Sequence, residues 1–209
     1  MSTVQVDKGL LKKLILKLGK TEAERSVHIW REIIQNPFNN ILIGAFNIVK
    51  FGGKGDHYAF KTLYDLKYRI AKSNVSTIAE FIEKRINSRD LDELIKELGF
   101  AQELGKILEK LIDLNKRYNL DKKTDLCEID ANELYTELKD IEGFSEDGTI
   151  LPWIICDLVR IWNLKVPKDL KLSEKVIKEL EKLGLSPNDF DLKEYPYVDS
   201  AMFILSKDC

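Results

Sequence analysis

Residues 138–171 read LKDIEGFSEDGTILPWIICDLVRIWNLKVPKDLK, and this stretch sets the expectation for the whole chain. A short acidic helix ends in the turn Gly143-Phe144-Ser145-Glu146-Asp147-Gly148, an apolar helix spans 149–162, and the chain then bends through Val166-Pro167-Lys168-Asp169. Two helices joined by a tight turn can present backbone N–H groups to a phosphate, which makes Gly143 and Gly148 candidate phosphate-contacting positions. Glu142, Glu146 and Asp147 crowd negative charge at the same place, so a plain helical turn is the competing reading. The X-Pro bend is expected to set Asp169 at the start of the next helix, where the dipole favours its charge and it can stabilise a cation.

Helical spacing continues on both sides. Leu10, Leu11, Leu14, Ile15 and Leu18 predict a helix ending near Gly19, and Val27, Trp30, Ile33 and Ile34 predict a second over 22–35. Asn36-Pro37 breaks the pattern and Asn39-Asn40 lead into Ile41-Leu42-Ile43; the almost wholly apolar run to Val49 predicts a buried central helix over 38–51. Gly52-Gly53-Lys54-Gly55-Asp56 is the sharpest loop, with Asp56 placed to cap a helix through about Lys72. Further helices are expected over 78–85, 90–97, 101–118, 130–140 and 172–183, with Ser76-Thr77 and Ser88 as caps, and a last short one carries Val198, Met202, Phe203 and Leu205. No alternating strand run of useful length interrupts them. The fold class is all-α, with roughly ten short helices.

The 209 residues carry 33 Lys and Arg against 35 Asp and Glu. The near balance hides an asymmetry: residues 1–72 hold 13 basic against 6 acidic, and the remainder 20 against 29. Such a split suits a nucleic-acid-facing surface on the basic half, or simply a solvated one. The length allows one core of ordinary size or two small lobes sharing a cleft. No run long enough to span a bilayer is present and no export-type leader opens the chain, so a soluble, intracellular, cytoplasmic protein is expected. Cys127, Cys156 and Cys209 are widely spaced and only His28 and His57 could add nitrogen ligands, so neither a metal site nor a cofactor is expected. Cys156, inside the apolar helix, reads as a small buried residue. Abundant Lys, Glu, Leu and Ile with scarce Gln lean toward thermophile usage.

The glycine loop lacks the G-x-x-x-x-G-K-[ST] pattern and no strand leads into it, which argues against nucleotide binding. It serves either as a helix-to-helix turn or as a basic, backbone-exposed loop touching a phosphate. Tyr195, Tyr197, Asp199 and Phe203 could form half of a base-binding pocket, or anchor the terminal helix in the core. His57 reads as a surface or hydrogen-bonded core histidine.

Taken together, Gly53-Lys54-Gly55-Asp56-His57-Tyr58 after an apolar helix, Gly143 through Leu158, Pro167-Lys168-Asp169, and Tyr195 through Phe203 resemble, in order and separation, the archaeal 8-oxoguanine DNA glycosylase branch of the helix-hairpin-helix glycosylase/lyase superfamily. The resemblance covers most of the chain. It implies a two-lobed helical fold with a central lobe of about 73–165 and a second lobe formed by 1–72 and 166–209. It further implies Asp169 as the catalytic carboxylate, Asp199 as an acidic base-binding residue, Phe203 as a stacking aromatic usually occupied by Trp, and Tyr58 near the other stacking position. The family's hairpin lysine does not carry over, because Gly148 stands in its place and residues 142–150 contain no Lys.

Base excision passes through an oxocarbenium-like sugar that a carboxylate and a water can serve, whereas strand cleavage needs an amine to form a Schiff base. The expectation is therefore a base-excision repair glycosylase for an oxidised purine without an efficient lyase step, monomeric, acting on damaged double-stranded DNA and not on membranes. Lys50, Lys54 and Lys61 are its expected phosphate contacts. The alternatives are a catalytically silent relative that binds damaged DNA or a nucleoside, and an all-α protein-interaction module.

Overall fold

Apolar residues at helical spacing, punctuated by capping side chains, make every regular element among the described residues helical. The computed structural model describes residues 7–51, 56–146 and 148–206, with the side chains of 50, 51 and 56 left aside. Among the described residues there are ten α-helices, two short 3₁₀ turns and no strand. The α-helices are α1 Lys8–Ile34, α2 Pro37–Phe51, α3 Asp56–Ala71, α4 Ile78–Asn87, α5 Leu91–Glu97, α6 Glu103–Tyr118, α7 Ala131–Lys139, α8 Ile150–Trp162, α9 Glu174–Lys182 and α10 Tyr195–Leu205. No helix among the described residues is long and apolar enough to cross a membrane.

The first two expected helices are one. Gly19 lies inside α1, a helix of 27 residues, and is buried against α10. A β-carbon there would stand 1.9 Å from the carbonyl oxygen of Tyr197, so this glycine is a site of close helix approach rather than a stop. The second break occurs as expected, and α2 occupies the span expected of the central helix to within one residue. Pro37 opens α2, and Asn36 Oδ1 accepts from the Asn39 N–H at 2.9 Å, an arrangement that suits Pro in a first turn with a side-chain cap before it. Every residue from 38 to 47 is buried, as the apolar run requires.

Two apolar clusters form. The larger takes Ile34 at the end of α1 together with α2 through α8, including Phe38, Phe46, Leu63, Leu111, Leu134 and Trp162. The smaller joins Ile15 of α1 to Val176 and Leu180 of α9 and to Val198, Ala201 and Met202 of α10. The apolar residues of α2 and α3 thus pack with those of 78–170, and α1 belongs to both groups.

Cations close the carboxyl ends of the central helices. Arg31 Nε donates to the Ile161 carbonyl at 2.7 Å, its guanidinium lies 5.6 Å from the Trp162 ring centre, and Lys67 Nζ donates to the Ile33 carbonyl. Each satisfies a carbonyl that the helix itself leaves open, and each places positive charge at the negative end of a dipole. These tethers fix α1, α3 and α8 around one space.

Candidate functional site

That space is a cavity of about 190 Å³ enclosed by α1, α2, α3, α8 and α10. Trp30 and Phe60 stack with ring centres 5.5 Å apart and form one apolar wall; Trp153 and Phe203 line it from α8 and α10. Gly44 lets α2 and α8 approach closely, since a β-carbon on it would meet Ile154 Cδ1 at 2.0 Å. A second cavity of about 110 Å³ shares Trp153, Asp199 and Phe203 with the first and is lined on its other side by Thr149, Ser173 and Lys175. Asp199 and Phe203 therefore stand in the partition between the two.

Beside the half-buried Glu22, Ser26 and Arg160, the larger cavity is lined by the buried polar side chains Asp157, Asp199, Ser200 and Asn40. Asp157 and Arg160, one turn apart on α8, form an ion pair, and the same guanidinium lies 3.8 Å from Asp199 Oδ2 on α10. One cation thus faces two carboxylates. Burial pushes the Asp199 carboxyl up to about 7; Arg160 pulls it back and Asp157 adds to the push. Burial also opposes the charge on Arg160, but Asp157 and Asp199 outweigh it and the guanidinium is held above its ordinary value. The neighbouring Cys156 thiol is raised well above its ordinary value by burial and then by Asp199, which makes it an inert core thiol.

Asn40 completes the set. It is 0% exposed, and its Oδ1 accepts from Trp162 Nε1 at 3.1 Å, while its Nδ2 has no partner among the described residues.

The expected site residues divide into two groups. Asp199 and Phe203 meet in the cavity. Asp169 does not join them: it is exposed in the turn that Leu170 N–H closes onto the Pro167 carbonyl at 3.3 Å, and it lines neither cavity. It does not open a helix either, because α9 starts only at Glu174, where Ser173 Oγ accepts from the Val176 N–H and takes the cap. Tyr58 is 53% exposed on α3, edge-on to His57 at 5.7 Å; Phe60, two residues later, is the ring that α3 turns into the cavity.

Within the 140–149 connection, the N–H groups of Phe144 and Gly148 bond the carbonyls of Ile141 and Ser145, so they are engaged inside the turn. Gly143 has φ +89° and a β-carbon on it would press Ile48 Cγ2 at 2.4 Å, so this glycine is needed for the turn itself. Glu146 bonds Lys139 and Lys171 at 3.6 and 3.5 Å. Lys61 is exposed on α3; the Lys54 loop and Asp147 lie outside the described residues, as does the side chain of Lys50.

No family model, curated protein or solved structure matches the chain. Among the described residues, no group of three or more His, Cys, Asp or Glu is arranged to hold a metal ion.

The sequence reading did not single out Asn40, Asp157, Arg160 or Trp153. A signal for the charged pair was present: Asp157 and Arg160 are the two charged residues in the otherwise apolar run ILPWIICDLVRIW, at a spacing that places them on one face. Asn40, the residue before an apolar run, carried the ordinary look of a turn residue.

Proposed function

We propose that this protein is a helix-hairpin-helix glycosylase of base-excision repair that takes an oxidised purine, of the 8-oxoguanine kind, from damaged double-stranded DNA into the larger cavity and releases it without an efficient strand-cleaving step. The observation that carries the proposal is the meeting of Asp199 and Phe203 with Trp30, Trp153 and Phe60 in one cavity. Flat apolar walls with a few convergent polar groups are what a single extruded heterocycle requires. In the excision step the bond from C1′ of the sugar to the base nitrogen breaks, a water oxygen bonds to C1′, and the water's proton leaves with the base. Asp169 would stabilise the positive charge that develops on the sugar. No lysine lines the larger cavity among the described residues, which agrees with a reaction that ends at the abasic site.

A second reading, a silent relative that binds the base and does not turn it over, draws support from the position of Asp169 outside both cavities. Incubating the protein with a duplex holding one 8-oxoguanine, with and without alkali, separates the two. Strand breaks that appear only after alkali are the expected result. Retained binding without base release selects the silent relative, and no binding at all selects an interaction module.

A further inference from the structure

Half of a buried amide has nothing to bond. The indole Nε1–H of Trp162 is a donor only, so it must face the oxygen of Asn40, and this fixes the amide orientation. The two Nδ2 hydrogens then point away from Trp162 with no acceptor among the described residues, in a side chain that lines the larger cavity and has no exposed surface. Leaving a buried donor unmet is unfavourable, and an acceptor on a bound molecule recovers that loss.

Across the same cavity the ion-pair cluster has the opposite need. Arg160 lies against Asp157 and reaches Asp199 Oδ2 only at 3.8 Å, so the Asp199 carboxyl is placed to accept an N–H from a ligand. Trp30, Phe60 and Trp153 supply aromatic walls to the same cavity.

We propose that Asn40 is a specificity-determining residue that reads a ring carbonyl, so that the cavity selects lactam heterocycles, in which C=O and N–H are adjacent, over equally flat rings without the carbonyl. The lactam oxygen takes the idle Asn40 donor, and the lactam N–H turns to the Asp199 side. This inference rests on the reading that the cavity holds a base. The same chemistry could arrive as a free base or as one swung out of a duplex.

Hypoxanthine and purine share a bicyclic frame and differ by that carbonyl and its N–H. Tryptophan fluorescence of the whole protein, titrated with each free base and with duplexes carrying each base at one position, is the test. The expected result is a preference for hypoxanthine of about tenfold or more in at least one arm, the arm that shows it naming the source. Asn40→Leu should remove the preference while purine binds within about threefold of its original affinity. Asn40→Asp, which keeps an oxygen for Trp162 and replaces the donor by an acceptor, should reverse it. Equal affinities of the unaltered protein for the two bases in both arms, or a preference that survives both substitutions, would overturn the inference and leave base binding standing. Absence of binding by either base in either arm overturns the base-cavity reading along with it. The comparison of ligands on the unaltered protein decides the matter even if neither variant folds.

Discussion

Gly19 of α1 lies directly beneath the backbone of Tyr197, at a distance that no side chain can enter. A β-carbon would come within 1.9 Å of the carbonyl oxygen and 2.7 Å of the carbonyl carbon, and rigid backbone cannot move aside as a flexible side chain can. Gly19→Ala is therefore expected to destabilise the fold by about 3 kcal/mol or more, at the upper end of overpacking costs. A urea midpoint that falls while the slope of the transition is unchanged is the expected signature. An unaltered midpoint would mean that α1 and α10 are farther apart than described.

Phe203 is 43% exposed and yet lines both cavities. Its truncation to Ala should cost about 1–2 kcal/mol of stability, because about half of its surface is buried on folding. Base binding should weaken by roughly tenfold or more if the ring stacks on a ligand. Thermal melts and base titrations on the same variant check the two halves separately.

Asp199 links stability to pH, and the sign follows from its displaced carboxyl. In the folded chain it holds its proton up to about 7, whereas the ordinary value is 3.8. Between these limits the folded state binds more protons than the unfolded state, so this residue's contribution to stability declines as pH rises through the window and the full cost is present above it. Asp199→Asn should flatten that decline. Urea midpoints of both proteins from pH 4 to pH 8 should converge at the acid end and separate at the neutral end, with the variant the more stable.

Asp169→Asn addresses the proposed chemistry. Because a carboxylate is needed for the cationic transition state more than for the ground state, base release should be lost while binding to the damaged duplex stays nearly unchanged. Asp169 is exposed and lies in a short turn, so the variant should fold normally. Undiminished base release would assign the supporting carboxylate to another residue.

On the proposed reading, Gly148 stands where a strand-cleaving relative would carry its amine. Its backbone is outside the left-handed region, and a β-carbon would lie 3.2 Å from the Ser145 carbonyl oxygen, close enough to require a small adjustment and no more. Gly148→Lys should therefore be tolerated and should give a borohydride-trapped adduct with an abasic duplex, while the unaltered protein gives none. An adduct from the unaltered protein would show that a different lysine already reaches the sugar.

The helical class was legible because apolar residues recur at one spacing from Leu10 to Leu205, and the depth of α2 was legible because its residues are apolar on nearly every side. Gly19 misled for a physical reason: Gly followed by Lys-Thr-Glu looks locally like the end of one helix and the cap of the next, and only the approach of α10, far away in sequence, shows what the glycine is for. Asp169 misled in a similar way. Pro167 announces a bend, but whether a helix starts there depends on which side chain takes the cap, and Ser173 takes it. For the site, Asp199 and Phe203 could be picked out from their neighbours, whereas the idle donor of Asn40 depends on Trp162, a partner 122 positions away that local pattern does not reveal.

Because a single rod of 27 residues supplies Ile15 to the smaller apolar cluster and Ile34 to the larger, the two clusters have no hinge between them. Losing either would strip the packing from half of α1 and leave the rest of that helix with a frayed end, so melting is expected to spread from one cluster to the other as one cooperative event. Backbone amides on either side of Gly19 should then exchange with solvent at a common free energy. A molecule seated in the larger cavity, touching α1 and α10 at once, would protect the whole chain rather than the walls around it.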